Sequence, residues 1–173
     1  MKTDVYWTKL DYGNWELYMA ATSKGLCYVG SQGKAFEELE EWVQKRYPGR
    51  KLIKNDEAMQ PYVVEFIEFF QGKRDSFSIP QDLKGTPFQT EVWNALCSIP
   101  YGETWTYSDI ANAIQRPAAV RAVGTAIGAN PNLLIVPCHR VIGKNGKLTG
   151  FRGGLDMKSA LLQLEQGNIG NKK

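Results

Sequence analysis

Hydrophobic and polar positions divide the chain into a first part of strands and helices and a second part of helices. Residues 5–10, 15–20 and 26–30 are rich in aromatic and branched side chains. Asp11-Tyr12-Gly13-Asn14 and Ser23-Lys24-Gly25, which are turn chemistry, separate them. An antiparallel meander is the simplest arrangement of three such strands. A helix is expected over 35–47, where Phe36, Leu39, Val43 and Tyr47 share a face and Glu37, Glu38, Glu40 and Glu41 fall mostly elsewhere. Pro48-Gly49 stops it. A second helix is expected over 61–71, with Val64, Ile67 and Phe70 at helical spacing, Pro61 in its first turn and Gly72 at its exit.

Residues 73–87 look like a connector with a short strand at 76–79, punctuated by Pro80, Gly85 and Pro87. Here the chain is expected to divide into an N-terminal α/β support domain, 1–82, and a C-terminal domain, 83–173. The second part carries legible start signals. Thr86-Pro87-Phe88-Gln89 matches a capping box with proline at the first helical position, followed by an apolar face of Val92, Trp93 and Leu96. Ile99-Pro100-Tyr101-Gly102 is a turn. Thr106 stands three residues before Asp109, a second capping box, and opens a short helix through Ile110 and Ile114. Arg116-Pro117 breaks the chain, and Pro117 opens a helix with Val120, Val123 and Ile127 on one side. A short helix, a tight break and another helix form a helix-turn-helix. The second of these helices carries Ala118, Ala119, Ala122, Gly124, Ala126, Gly128 and Ala129, with Arg121 as its central long cation. Glycines weaken a helix but let its backbone come close to a neighbour. The neighbour is either another helix or something flat. Asn130-Pro131-Asn132 ends it.

Composition sharpens this picture at two points. Residues 1–83 carry 11 Lys and Arg against 13 Asp and Glu, and residues 84–173 carry 10 against 5. From Ile110 to Leu155 there is no acidic residue, while Arg116, Arg121, Arg140, Lys144, Lys147 and Arg152 all lie there. That is either a solvated basic face or a surface for a polyanion, nucleic acid first. The three cysteines, Cys27, Cys97 and Cys138, are an odd set without disulfide spacing. With His139 the only histidine and no Cys-x-x-Cys, no metal site and no cofactor are expected. No apolar run is long enough to span a membrane and no leader pattern follows Met1, so a cytoplasmic protein is expected.

The chemistry concentrates at Pro137-Cys138-His139-Arg140, directly after the apolar run Leu133-Leu134-Ile135-Val136, a buried strand or extended segment. A thiol attacks as its thiolate, which nearby positive charge or an adjacent base makes accessible. Any histidine-based mechanism must use His139. Side chains adjacent in a strand point apart, so Cys138 and His139 would meet only through a turn or a bridging water. A base is usually oriented by a third group. Glu165, near the end of a last helix expected over 156–167, is either an ordinary exposed glutamate or that group, since a carboxylate is mildly unfavourable at a helix C-terminus.

The block Ile135-Val-Pro-Cys-His-Arg-Val-Ile-Gly143 resembles the active-site signature of the O6-alkylguanine-DNA alkyltransferases. Phe88-Gln89 with Val92-Trp93, Ile99-Pro-Tyr-Gly-Glu103, Arg121-Ala-Val-Gly124, Ala129-Asn130-Pro131 and Gly153-Gly154-Leu155 follow the family's order and spacing, over about 86–166. The resemblance implies an α+β fold, with a ribonuclease H-like N-terminal domain and a C-terminal helical, winged-helix-like domain with a helix-turn-helix. It implies direct-reversal repair, in which one alkyl group moves irreversibly from O6 of guanine in double-stranded DNA to Cys138 after base flipping. It further implies His139 as base through a water, Glu165 holding His139, and Asn130 bracing the turn before the cysteine. Base and DNA contacts would come from Tyr107, Arg121, Ala122, Gly124, Val141, Phe151 and Arg152. Docking would be in the minor groove, by a monomer. Phe151 stands where relatives often carry tyrosine, and Arg152 where some carry serine.

Two other readings share parts of this pattern. A non-catalytic damage sensor would need the helix-turn-helix and the basic stretch but not the Cys138-His139 pair. A cysteine hydrolase would leave the small-residue helix unexplained. Reaction stoichiometry separates them: none, one, or many.

Overall fold

The computed structural model describes residues 4–171, with side chains through Asn168; Met1–Thr3, where no leader pattern was read, lie outside the described residues. Contacts divide the chain between Leu83 and Lys84 into two compact units.

In the first unit, β1 (Val5–Tyr12), β2 (Trp15–Thr22) and β3 (Gly25–Val29) form the expected antiparallel meander. A fourth strand, β4 (Leu52–Lys54), pairs parallel with β1, so the sheet is mixed, in the order β3-β2-β1-β4. Three residues are too few to show an alternating pattern, and β4 escaped the sequence reading. Helix α1 (Phe36–Arg46) contributes Leu39 and Val43 to a core with Val5, Ala20, Cys27, Tyr28 and Tyr47. Helix α2 (Asp56–Phe70) packs on β1 and buries Met59, Phe66, Phe69 and Phe70.

Two expectations are corrected here. α2 begins at Asp56, five residues before Pro61, because Asn55 accepts a capping bond from the Ala58 amide at 2.9 Å. Pro61 lies inside the helix, where it removes the bond to the Glu57 carbonyl and its ring crowds that carbonyl. Residues 76–79 form no strand. The Ser78 amide and hydroxyl turn instead to the Glu65 carboxylate, at 2.8 and 2.5 Å.

The second unit is helical. Helix α3 (Pro87–Leu96) opens with the Thr86–Gln89 capping box and buries Val92, Trp93 and Leu96. Strand β5 (Trp105–Thr106) leads into helix α4 (Tyr107–Ala113), opened by the Thr106–Asp109 box. Helix α5 (Val120–Gly128) starts at Val120, three residues later than expected, since Pro117-Ala118 form a turn. The helix-turn-helix is thus α4–α5. Trp93 of α3 ties the pair to itself through Nε1–H to the Ala126 carbonyl, 2.8 Å.

The run 133–136 is a tight turn and not a strand: Leu134 has φ +74°, and the Val136 amide bonds back to the Asn132 carbonyl at 3.1 Å. Its apolar character reflects burial alone. A single 3-10 turn, Cys138–Arg140, follows, then β6 (Val141–Ile142), parallel to β5. Helix α6 (Leu155–Asn171) runs through Gly167, where an exit was expected. Glu165 therefore has more than a turn of helix beyond it, and the helix dipole does not explain its position.

Candidate active site

Asn130 stands at the centre of the turn between α5 and the cysteine. Its Nδ2–H donates to the Val136 carbonyl at 3.0 Å and to Cys138 Sγ at 3.3 Å, while its Oδ1 accepts from the Asn132 amide at 2.9 Å. One fully buried amide thus fixes the backbone on both sides of the turn and touches the sulfur it delivers. In the 3-10 turn successive side chains diverge by about a third of a revolution. Cys138, His139 and Arg140 therefore leave the backbone in three directions, and all three are buried.

His139 Nε2 lies 2.7 Å from Glu165 Oε2. Arg140 grips the same carboxylate, with Nε at 2.8 Å from Oε1 and Nη2 at 3.0 Å from Oε2, and donates from Nη1 to the Ile99 carbonyl at 2.8 Å. Burial pushes the Glu165 carboxyl upward, but hydrogen bonds and charge from His139 and Arg140 outweigh it and hold the group at about 2. Burial also holds His139 below the usual imidazole range, against the pull of Glu165. The pair is then a neutral imidazole donating Nε2–H to an ionised carboxylate. The other ring nitrogen, Nδ1, is buried and meets no protein hydrogen-bond partner. It carries the lone pair of a base.

Burial raises the Cys138 thiol above its ordinary range, while the Asn130 amide, Arg152 and Lys158 pull it back. Lys158 was missed in the sequence. It is fully buried, donates Nζ–H to the Thr149 carbonyl at 2.9 Å, and is held below the usual lysine range by burial, with Cys138 opposing. Its signal was present. Lys158, Leu161, Leu162 and Glu165 stand at i, i+3, i+4 and i+7 of α6, so two ionisable residues lie on the stripe that Leu161 buries.

Of the expected contact residues, Arg121 and Ala122 lie exposed on α5, with Thr125, Gly128 and Ala129 also outward. Gly124 is half-buried, and a Cβ there would stand 3.8 Å from the Tyr107 ring. The Tyr107 hydroxyl lies 2.9 Å from Thr149 Oγ1. Phe151 and Arg152 are half-buried in the loop before α6. Gly153 is confined, since a Cβ would meet Met157 Sδ at 2.5 Å and the Phe151 ring at 2.6 Å, and Gly154 has φ +93°. Val141 is not brought to the surface: it is fully buried, its backbone paired with Trp105.

Residues 5–83 match the family description "6-O-methylguanine DNA methyltransferase, ribonuclease-like domain", and residues 87–167 match "6-O-methylguanine DNA methyltransferase, DNA binding domain". The chain belongs to this family. The inducible methylated-DNA--protein-cysteine methyltransferase of Bacillus subtilis (strain 168) is 58% identical over 165 residues, 95% of this chain and 92% of that protein. The O6-methylguanine methyltransferase of Mycobacterium tuberculosis superposes with a TM-score of 0.82 at 38% identity, over 95% of this chain and 94% of that one. A structure of the M. tuberculosis protein OGT in complex with DNA gives 0.81 at 38% identity, over 94% of each chain. Membership covers both units. Among the described residues no helix is long and apolar enough to cross a membrane.

Proposed function

We propose that this protein is a direct-reversal DNA repair protein, a methylated-DNA--protein-cysteine methyltransferase, with Cys138 as the acceptor of one alkyl group from O6 of guanine. The observation that carries the reading is the buried pair Glu165–His139, whose Nδ1 is bare, on the residue that follows in sequence a thiol that Asn130 holds by its sulfur. A binding module has no use for such a pair, which favours transfer over damage sensing.

The step balances as follows. His139 Nδ1 takes the Cys138 proton through a water, with Glu165 stabilising the imidazolium. The thiolate attacks the alkyl carbon, an S–C bond forms, and the C–O6 bond breaks with its electron pair on guanine. The proton returns to guanine, which is restored. Cys138 is left as a thioether, so each molecule acts once. The target atom is hidden in a duplex and the base must leave the stack. Helix α5 supports the flipping. Its outward alanines and glycines permit close approach to the minor groove, and Arg121 fills the space the base leaves. Tyr107 then contacts the guanine and the target phosphate, and Phe151 lines the pocket. Lys144 and Lys147 add sequence-independent phosphate attraction. Residues 84–173 hold every group invoked here, residues 1–83 act as support, and a monomer suffices. The three free cysteines fit a reducing cytoplasm.

The test is intact mass after mixing the protein with a duplex bearing one O6-methylguanine. One added methyl is expected, on the peptide containing Cys138, and none in Cys138→Ser, which still binds DNA. Tight binding with no mass change would instead leave a damage sensor.

A further inference from the structure

Arg152 was expected among the DNA contacts, and its bonds to two backbone carbonyls run within the protein instead of leaving the side chain extended. Its side chain is half-buried and turned into the protein. Nε–H donates to the Asn130 carbonyl at 3.1 Å, and an Nη2–H donates to the Pro131 carbonyl at 3.1 Å. These are consecutive carbonyls at the start of the turn whose other end Asn130 ties to Val136 and Cys138. A planar guanidinium presents donors in a fixed fork, which lysine does not reproduce. Arg152 also belongs to the loop that Lys158 holds at Thr149 and Tyr107 meets at the Thr149 hydroxyl.

The geometry points to Arg152 as a positioning residue for the acceptor cysteine, a fork that locks the Asn130-Pro131 carbonyls and so sets the Asn130 amide on Cys138 Sγ, and not as a contact to DNA. This rests on the reading of Cys138 as acceptor. The groups acting on the thiol are then the Asn130 amide from the turn, Arg152 from the loop and Lys158 from α6, while His139 and Arg140 of its own 3-10 turn are engaged with Glu165. Burial raises the thiol, and among the groups opposing it Asn130 acts first and Arg152 next. Losing the fork relaxes both.

The experiment uses the full chain and three readouts on Arg152→Ala and Arg152→Lys. The first is the pH profile of Cys138 carboxymethylation by iodoacetate, followed on its peptide to separate it from the exposed Cys97. The second is methyl transfer from free O6-methylguanine base. The third is affinity for undamaged duplex against salt. Arg152→Ala is expected to shift the reactivity profile to higher pH and to slow transfer from the free base about tenfold, the scale of one charge-assisted hydrogen bond. Duplex affinity and its salt slope should stay within about twofold, because no phosphate contact is lost. Arg152→Lys keeps the charge without the fork and should reproduce most of the loss. An unshifted profile with a weaker, shallower salt-dependent duplex affinity would make Arg152 a DNA contact and overturn the proposal. Should the wild type transfer no methyl at all, the functional reading fails separately. The carboxymethylation profile still decides whether Arg152 positions the thiol.

Discussion

The two units treat buried polarity in opposite ways. In residues 1–83 the buried polar side chains are Thr8, Thr22, Ser31, Glu65 and Asp82. The Thr22 hydroxyl donates to Asp82 at 2.6 Å, and Ser78 donates to Glu65. These bonds stitch the connector to strand β2 and to helix α2. In residues 84–173 the buried set among the described residues is Asn130, Asn132, His139, Arg140, Lys158 and Glu165: Asn130 bonds Cys138 Sγ, and His139 and Arg140 share the Glu165 carboxylate. Desolvating charges is expensive, and a fold gathers them in one place only where the geometry offsets the cost. The first unit spends its polar groups on holding shape. The second accepts buried charge to hold a reactive group, which is where perturbed ionisation concentrates in functional sites.

The sharpest way to break this contrast is to remove the carboxylate that His139 and Arg140 share. Glu165→Ala leaves Arg140 buried with the Ile99 carbonyl and the Tyr101 ring and leaves His139 Nε2 without its acceptor. Stability should fall by about 3–5 kcal/mol, the usual result of stripping one partner from a buried ion pair. Urea unfolding measures it. A loss under about 1 kcal/mol would mean the cluster is solvated and the two units are alike.

Acid should act on the same cluster in two stages, with the same sign. Burial holds His139 below 6.5 in the folded state, so unfolded chains bind a proton that folded chains refuse, and stability falls as pH drops below 6.5. Glu165 is depressed from 4.5 to about 2, so its contribution is full above 4.5 and disappears as pH falls toward 2. The lower stage amounts to about 3 kcal/mol, at roughly 1.4 kcal/mol per pKa unit. Unfolding free energy measured from pH 8 to 3 should show both stages. Glu165→Gln should remove the lower one; if it persists unchanged, carboxylates elsewhere carry it.

Much of this was readable before the fold was known, and the misses have physical causes. Both capping boxes of the second unit and the α4–α5 break were legible, because caps are local chemistry between residues three apart. The pair Cys138-His139 stood out by composition, and Glu165, the residue the resemblance assigned to His139, does meet it at 2.7 Å. The turn at 133–136 was not legible: four apolar residues, three of them buried, look alike in a strand and in a turn, and what bends them is the side chain of Asn130 and a positive φ at Leu134. Nor was the inward direction of Arg152, since its partners are backbone carbonyls, which a sequence does not display.

Outside the buried cluster, the second unit should tolerate change in stability while losing function. Arg121 is exposed on α5, so Arg121→Ala should leave the thermal midpoint nearly unmoved. If Arg121 fills the gap left by a flipped base, repair in duplex DNA should slow on the order of tenfold, or about 1.4 kcal/mol. Reaction with the free alkylated base should hold. Equal losses on both substrates would remove the base-flipping role.

Gly124 gives the smallest effect and tests the same surface from the other side. It lies mid-helix, where glycine is about 0.8–1.0 kcal/mol worse than alanine. A Cβ there would meet only the Tyr107 ring, at 3.8 Å, an ordinary contact. On folding grounds alone Gly124→Ala should therefore raise the unfolding free energy by about 0.5–1 kcal/mol. If α5 lies against the floor of a groove, the added methyl obstructs the approach and duplex affinity drops although the protein is more stable. A stability gain with lower duplex affinity and unchanged free-base transfer would tie the small residues of α5 to DNA. A gain in stability with unchanged affinity would give those residues back to packing, and the close face of the helix would have to be sought elsewhere on its surface.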